Sequence, residues 1–485
     1  MILRTSLVLL LVISALLAQF PAPQNPGLLE KMRVEAMDHS EATTVFDMFT
    51  VIIGPRLTAS PAHKRAAVWT RQWLASKGLE NARLEAFHFG RSWTLDKLTV
   101  EMVEPRYMPL IGYADAWSPS TAGEVTATPV MIAGKSAEEI AGMSARLKGA
   151  IVLTQPAMTA FVRQDRAQPS DPSYVTPPAA PAGGGLGGQA RAQAIAQAIH
   201  DAGAAAILKP SRGEHGTVFV QGRDAGDNVV PSITLAGEHY NMIVHMLEQG
   251  VPVKLRVNVQ AKFPDDSGNT YNVLAELSGS DPAVRDEIVM IGGHLDSWHT
   301  GVGATDNADG ATTIMEAMRI LKATGARPRR TIRAAIWSGE EQGLLGSKAW
   351  VQQHLAGDAN AEARAKFDVY FNVDAGTGPI YGWYLQNRED LRAIFDAWNE
   401  PLKQFGVRRN VIDSLGNSDH VTFNEIGVPA FNPIQDYVNY DVREHHTNVD
   451  TPERLQVKDI RQAALVTAWY AYQAAAADRK FPRAK

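Results

Sequence analysis

The sequence predicts an α/β protein: a mixed, mostly parallel central sheet flanked by helices, interrupted by a β-rich insertion. Three observations carry this expectation. The apolar runs Ile288–Ile291, Ile332–Trp337, Val369–Val373 and Val428–Ile434 are continuous rather than alternating, as in strands buried on both faces. Helical patterns fall between them. Ala311–Ala323 places Ile314, Met315, Met318 and Leu321 on one face, with Gly325 as a stop. From about Asp115 to Val259 the texture changes to short strands, turns and one Ala-rich helix.

The elements follow in order. Met1 to Arg4 is a weakly basic start, Leu7 to Leu17 is nearly all apolar, and Ala18 is a small residue at a cleavage position. Residues 1–18 read as a secretory signal peptide; an uncleaved anchor is the alternative, but the run is short for spanning. Export to the periplasm or the medium is expected. Pro21, Pro23 and Pro26 precede the first helical patterns, and Ser60-Pro61 is an N-cap followed by proline at the first helical position. Ala62, Ala66, Trp69 and Trp73 share a face of that helix, which Gly78 ends. Leu84–Phe89 and Leu98–Val103 read as strands. In the middle region the strands are Gly149–Leu153, Ala204–Leu208 and Val230–Leu235, with a helix over Ala190–His200. Gln168–Gly188, containing Pro177-Pro178 and Gly183–Gly185, reads as a surface loop or a lid.

Composition narrows the function classes. The 485 residues are 45% hydrophobic, 20% charged and 8% aromatic, an ordinary globular balance. The formal net charge of −5 leaves no basic excess for a nucleic-acid backbone. The chain has no cysteine, so disulfides, thiolate metal sites and thiol nucleophiles are excluded, and any metal must be held by His, Asp or Glu.

The apolar runs of the last third lead into acidic or imidazole residues. Ile288–Ile291 leads to His294 and Asp296, and the next loop carries Asp306 before a helix. Ile332–Trp337 leads to Glu340 and Glu341, Val369–Val373 to Asp374, and the loop after Ile434 reaches His445 and His446. In an open α/β sheet the site lies beyond the carboxyl ends of the strands. Each residue has a plain reading: His294 a bonded loop residue, Asp306 a helix cap, Glu340 and Glu341 an acidic helix start, Asp374 a turn. Together they place a cluster of carboxylates and imidazoles at one end of the sheet. Such carboxylates repel unless cations neutralise them, and this donor set suits zinc. Two ions sharing one carboxylate would account for the number of ligands.

The residues His294-x-Asp296, Asp306–Gly310, Trp337–Ser347, Asn372–Asp374, His445–Thr447 and Asp450-Thr451 resemble the M28 family of co-catalytic zinc exopeptidases. Gly292–Trp298 and the His-His pair most resemble its carboxypeptidase Q branch. Lys148–Val152 and Val230–Ile233 resemble the protease-associated domain inserted in many M28 enzymes. The resemblance implies a zinc exopeptidase fold with residues 19–114 as the N-terminal part of the peptidase domain, 115–265 as the inserted domain and 266–485 as the catalytic domain. It implies two zinc ions per monomer. His294, Asp306 and Asp374 would hold one, and Asp306, Glu341 and His446 the other. Glu340 would be the general base and Asp296 would fix the tautomer of His294. Asp309, His420 and His445 receive no firm role.

The expected activity is hydrolysis of a terminal peptide bond of short peptides by metal-activated water. The acidic metal loops favour recognition of a free amino terminus, an aminopeptidase; the resemblance to the carboxypeptidase Q branch favours a carboxypeptidase or dipeptidase. The readings from other classes are a glutaminyl cyclase-like acyltransferase, which uses one zinc, and an inactive binding homologue, which would lack ligands. No nucleic-acid partner and no stable membrane insertion of the mature chain are expected.

Overall fold

Ser60 caps its helix as the sequence requires: its Oγ accepts from the His63 amide at 3.2 Å, and Pro61–Ser76 follows. The computed structural model describes residues 25–176, 186–264 and 267–483. The signal-peptide residues and Pro177–Gly185 lie outside them.

The central sheet has six strands. In chain order they are β1 (Glu80–His88), β2 (Asn269–Leu277), β3 (Ile288–His294), β4 (Thr331–Trp337), β5 (Phe367–Asn372) and β6 (Ala430–Phe431). Their spatial order is β1-β2-β4-β3-β5-β6. The pairs β4–β3, β3–β5 and β5–β6 are parallel, and β1–β2 and β2–β4 are antiparallel. The expected mixed, mostly parallel sheet is therefore present, with its antiparallel strands gathered at one edge.

Both faces are covered, which explains the continuous apolar runs. The helices Asp309–Ala323 and Val457–Ala476 pack on one face with Val289, Ile291, Ile332 and Phe371. An aromatic cluster of Trp337, Trp350, Tyr370 and Phe423 fills the other. The expected strand over Val428–Ile434 is broken at Asn432, into β6 and Pro433–Asp436, which pairs instead with Thr377–Trp383. The cause is local. Pro433 has no amide hydrogen for a ladder, and the Asn432 side chain turns inward to bond the Asp374 carbonyl.

A smaller unit has its own core, which includes Met102, Leu153, Leu208, Leu235, Ile243 and Val257. One of its sheets has the order Gly112–Ala114, Ser232–Leu235, Ala206–Pro210, Ile151–Leu153, Pro129–Met131. The other pairs Thr94–Glu104 with Lys254–Lys262, flanked by Met108–Pro109 and Val125–Ala127. Thr94–Glu104 thus packs with the smaller unit, ahead of residue 115 in sequence.

The stretch from Asp165 to Thr176 is no free loop. Asp165 accepts from the amides of Asn439, Asp441 and Val442 at 2.8–3.1 Å. Arg166 pairs with Asp441, and Gln168 bonds Gln435 and Tyr437. Arg409 donates to the carbonyls of Pro169 and Asp171, and Thr176 donates to Asp413 at 2.6 Å. The segment straps the smaller unit to the larger one because it supplies acceptors to backbone that no strand satisfies.

Candidate metal centre

His294 is the last residue of β3, and Gly292 and Gly293 before it allow close approach of neighbouring strands. A Cβ at Gly293 would lie 2.8 Å from the Val373 carbonyl oxygen. The His294 Nε2 atom is 3.2 Å from Asp306 Oδ1 and 3.5 Å from Asp374 Oδ1. His446 Nε2 is 3.3 Å from Asp306 Oδ2 and 2.9 Å from Glu341 Oε2. The two oxygens of Asp306 therefore face two imidazoles, one on each side. The five residues that sequence reasoning selected as ligands are brought together, and Glu340 Oε2 stands 4.0 Å from His294 Nε2.

The backbone around each donor is fixed. Asp450 accepts from the amides of Thr305 and Asp306 at 2.8 and 3.1 Å. Asn307 reaches the Val373 carbonyl at 3.0 Å, tying the Asp306 loop to the end of β5. Ser418 donates to the Asp374 carboxylate. Buried Arg56 donates to the carbonyls of Leu295, Val302 and Gly303, each at 2.8 Å, and so holds the loop between His294 and Asp306.

Asp296 meets the far ring nitrogen of His294, through its backbone rather than its carboxylate. His294 Nδ1 meets the Asp296 backbone carbonyl at 3.0 Å, while the carboxylate lies 3.6 Å away. The carboxylate instead accepts from Thr58 at 2.8 Å and from the Glu340 and Glu341 amides at 3.4 and 3.3 Å. Asp296 thus links the His294 loop to the Glu340-Glu341 turn. Asp309 accepts from Gly378 and Gln435, and His420 bonds Gln386 and Leu415. His445 stacks on His446 with ring centroids 3.6 Å apart.

The donor set fits a metal. Among the described residues, His294 Nε2, Asp306 Oδ2 and Glu341 Oε1 are buried without a hydrogen-bond partner, and Glu341 Oε2 meets the His446 ring. Orphaned buried acceptors are costly, so a cation is the natural complement. Charge says the same. Burial opposes an imidazolium at His294, but the Asp374 and Glu340 carboxylates hold its pKa well above the ordinary value. Against the same burial, Glu341 and Asp306 push His446 up to about 9. Burial raises Glu341 to about 7, helped by Asp306. Burial also raises Glu340 well above the usual carboxylate range, with His294 opposing and Asp374 adding to it. The cluster holds protons in the places where a divalent ion would supply positive charge.

The loop that carries His446 is completed by the smaller unit. Val218–Val220 runs antiparallel to His446–Asn448, with Val220 N donating to the His446 carbonyl at 3.1 Å and Asn448 N to Val218 at 3.2 Å. Gln221 Nε2 lies 2.8 Å from His446 Nδ1. His446 has a left-handed φ of 63°, a conformation that a non-glycine residue holds only when its surroundings impose it. Sequence reasoning missed Gln221. It stands more than two hundred residues before its partner, and no local pattern marks it.

The comparisons with known proteins agree with this geometry. Residues 272–471 match the family model described as peptidase family M28. Residues 272–471 are therefore a peptidase family M28 domain. With this domain the chain is a metallo-exopeptidase of the hydrolase class, and zinc follows from the domain and from the imidazole–carboxylate donors. It is 28% identical to mouse carboxypeptidase Q over 437 residues, covering 89% of this chain and 85% of that protein. It superposes on the M28 peptidase precursor from Shewanella amazonensis with a TM-score of 0.71 at 24% identity, covering 95% of this chain and 99% of that one. A zinc aminopeptidase from Bacillus subtilis gives a TM-score of 0.59 at 20% identity, covering 88% and 93%. These two likenesses speak for the fold.

Proposed function

We propose that this M28 member is a two-zinc exopeptidase that removes a terminal residue from short peptides. The observation that carries the reading is the placement of Asp306, whose two oxygens face His294 and His446 on opposite sides. His294, Asp306 and Asp374 would hold one ion; Asp306, Glu341 and His446 would hold the other. Zinc supplies Lewis acidity, polarising a carbonyl and acidifying water.

Glu340 takes the proton. Its carboxylate reaches the same space as the ligands without being needed as one, and burial raises its proton affinity toward working pH. It accepts a proton from the attacking water as the water oxygen bonds to the scissile carbonyl carbon. It returns that proton to the amine nitrogen as the C–N bond breaks. Asp296 holds the Glu340-Glu341 turn through both amides, so base and ligand face the centre from adjacent positions. The acidic metal loops would welcome a substrate ammonium, and that is the case for an aminopeptidase. Bound zinc would cancel much of that charge. The likeness to mouse carboxypeptidase Q supports the opposite terminus.

Residues 115–265 are read as the inserted protease-associated domain. Export is read from the N-terminal apolar run, and no described helix is long and apolar enough to cross a membrane. The test of the central reading is product analysis. Zinc-loaded protein incubated with di- and tripeptides should release single terminal residues, and chelation should stop it. Internal cleavage of long peptides, or turnover indifferent to chelation, would refute the proposal.

A further inference from the structure

A cleft of about 350 Å³ lies on the smaller unit and meets the metal centre at His446. His446 lines one end, and Lys209, Ser211, Arg212, Phe219 and Gln221 line the side given by the smaller unit. This is the place where a peptide held at the metals would extend. The charge of its wall is opposite to that of the metal loops.

Arg212 is the group of interest. Its guanidinium stacks over the Phe219 ring, 4.6 Å from the centroid, and it has no carboxylate partner among the described residues. Lys209 borders the same cleft with its charge paired to Asp115 at 2.7 Å. The loop presenting Arg212 is preset. Ser211 Oγ accepts from Phe219 N at 3.0 Å and Gly213 N at 3.2 Å, and donates to the Thr217 carbonyl at 3.1 Å. A stacked, ordered arginine loses little freedom on binding, and its planar fork matches a carboxylate.

The spacing suits an exopeptidase. Phe219 and Gln221 are two apart in an extended run, so their side chains share a side. Gln221 touches the ring of His446, and Phe219 carries Arg212. Two strand residues span roughly 7 Å, about the length of one to two residues of bound peptide. The run thus sets the Arg212 guanidinium in the same cleft as the His446 ring, so a peptide reaching from the metals past His446 would meet it.

We infer that Arg212 is the residue that binds the substrate's free C-terminal carboxylate, so the chain selects peptides by that terminus and releases the residue bearing it. The inference rests on the exopeptidase reading above. It goes further by naming the recognition residue and locating it in the smaller unit, outside the metal loops.

The test compares the dipeptide Ala-Phe with Ala-Phe amide on the zinc-loaded full chain. Wild-type protein should show a KM at least tenfold lower for the free acid. Arg212→Ala should raise that KM by about 10–100-fold, leave kcat nearly unchanged, and leave the amide unaffected. Arg212→Lys should restore part of the preference. Zinc content should stay at the wild-type value in both variants, which separates lost recognition from a disturbed centre. Equal use of acid and amide by the wild type, or equal losses on both in Arg212→Ala, would overturn the inference while leaving the exopeptidase reading intact. If neither dipeptide is hydrolysed, that reading falls. Calorimetric titration of both peptides into wild type and Arg212→Ala then decides the inference alone: an acid preference lost in the variant supports it, and no preference overturns it.

Discussion

Gln221 of the smaller unit reaches 2.8 Å from the outer ring nitrogen of His446, the last zinc-ligand candidate in the chain. With the Gln221 amide turned so that its Oε1 accepts from Nδ1–H, Nε2 is left free and aimed at the centre. Gln221→Ala should weaken zinc binding at that position by about 10–100-fold. Competition with a chelator measures it, and Gln221→Glu should recover most of the loss. Unchanged affinity in the alanine variant would show the contact to be incidental.

The two adjacent glutamates should separate cleanly. Glu340→Gln should keep both ions and lose on the order of 10²–10⁴-fold in kcat. Glu341→Gln should lose one ion, because the Glu341 carboxylate lies 2.9 Å from His446 and has no other hydrogen-bond partner among the described residues. Elemental analysis beside kinetics reads both. The opposite pattern would reverse the roles.

Zinc should also stabilise the fold. The metal-donor atoms of His294, Asp306 and Glu341 would gain a cation partner from a bound ion. Free zinc at about 100 times its dissociation constant should add about 2.7 kcal/mol per site. A rise in Tm on zinc addition, reversed by chelation, is the expected result. A flat Tm would contradict a two-ion centre.

His63 should make stability fall in acid. It is fully buried beneath the Glu340 turn, with Ser338 Oγ 3.0 Å from one ring nitrogen and Thr270 Oγ1 3.2 Å from the other. Burial lowers its pKa to about 4, against an ordinary value near 6.5. The folded state thus binds fewer protons than the unfolded one, so stability is complete above about 6.5 and declines as pH falls toward 4. At pH 5 the loss from this residue is about 2 kcal/mol. Urea unfolding at pH 7.5 and pH 5 measures it, and His63→Gln should flatten the dependence.

Part of this could be read in the chain itself. Strands buried on both faces announce themselves as unbroken apolar runs, and the residues after β3 and β5 fall at the site because parallel strands share one end. His294 and Asp374 were legible for that reason. The break at Asn432 was not, because it depends on an inward bond to Asp374 that no local pattern encodes. Arg212 and Gln221 were hidden for a similar reason. Their meaning comes from a contact between Val218–Val220 and His446–Asn448, and such a pairing leaves no spacing in the sequence. The described part of Gln168–Gly188 read as a loop because its anchors, such as the Gln435 carbonyl that Gln168 meets, lie far away in sequence.

The pairing of Val220 with His446 also bears on how this protein could be divided. Residues 272–471 contain every candidate ligand, and a fragment of that span would look complete in an alignment. It would lack the edge that keeps His446 in its left-handed turn and the amide that meets its ring. The boundary of the working unit is therefore set by a three-residue seam between lobes. Loss or exchange of the smaller lobe would reach the chemistry directly, by unseating a ligand, without altering a single residue of the motif.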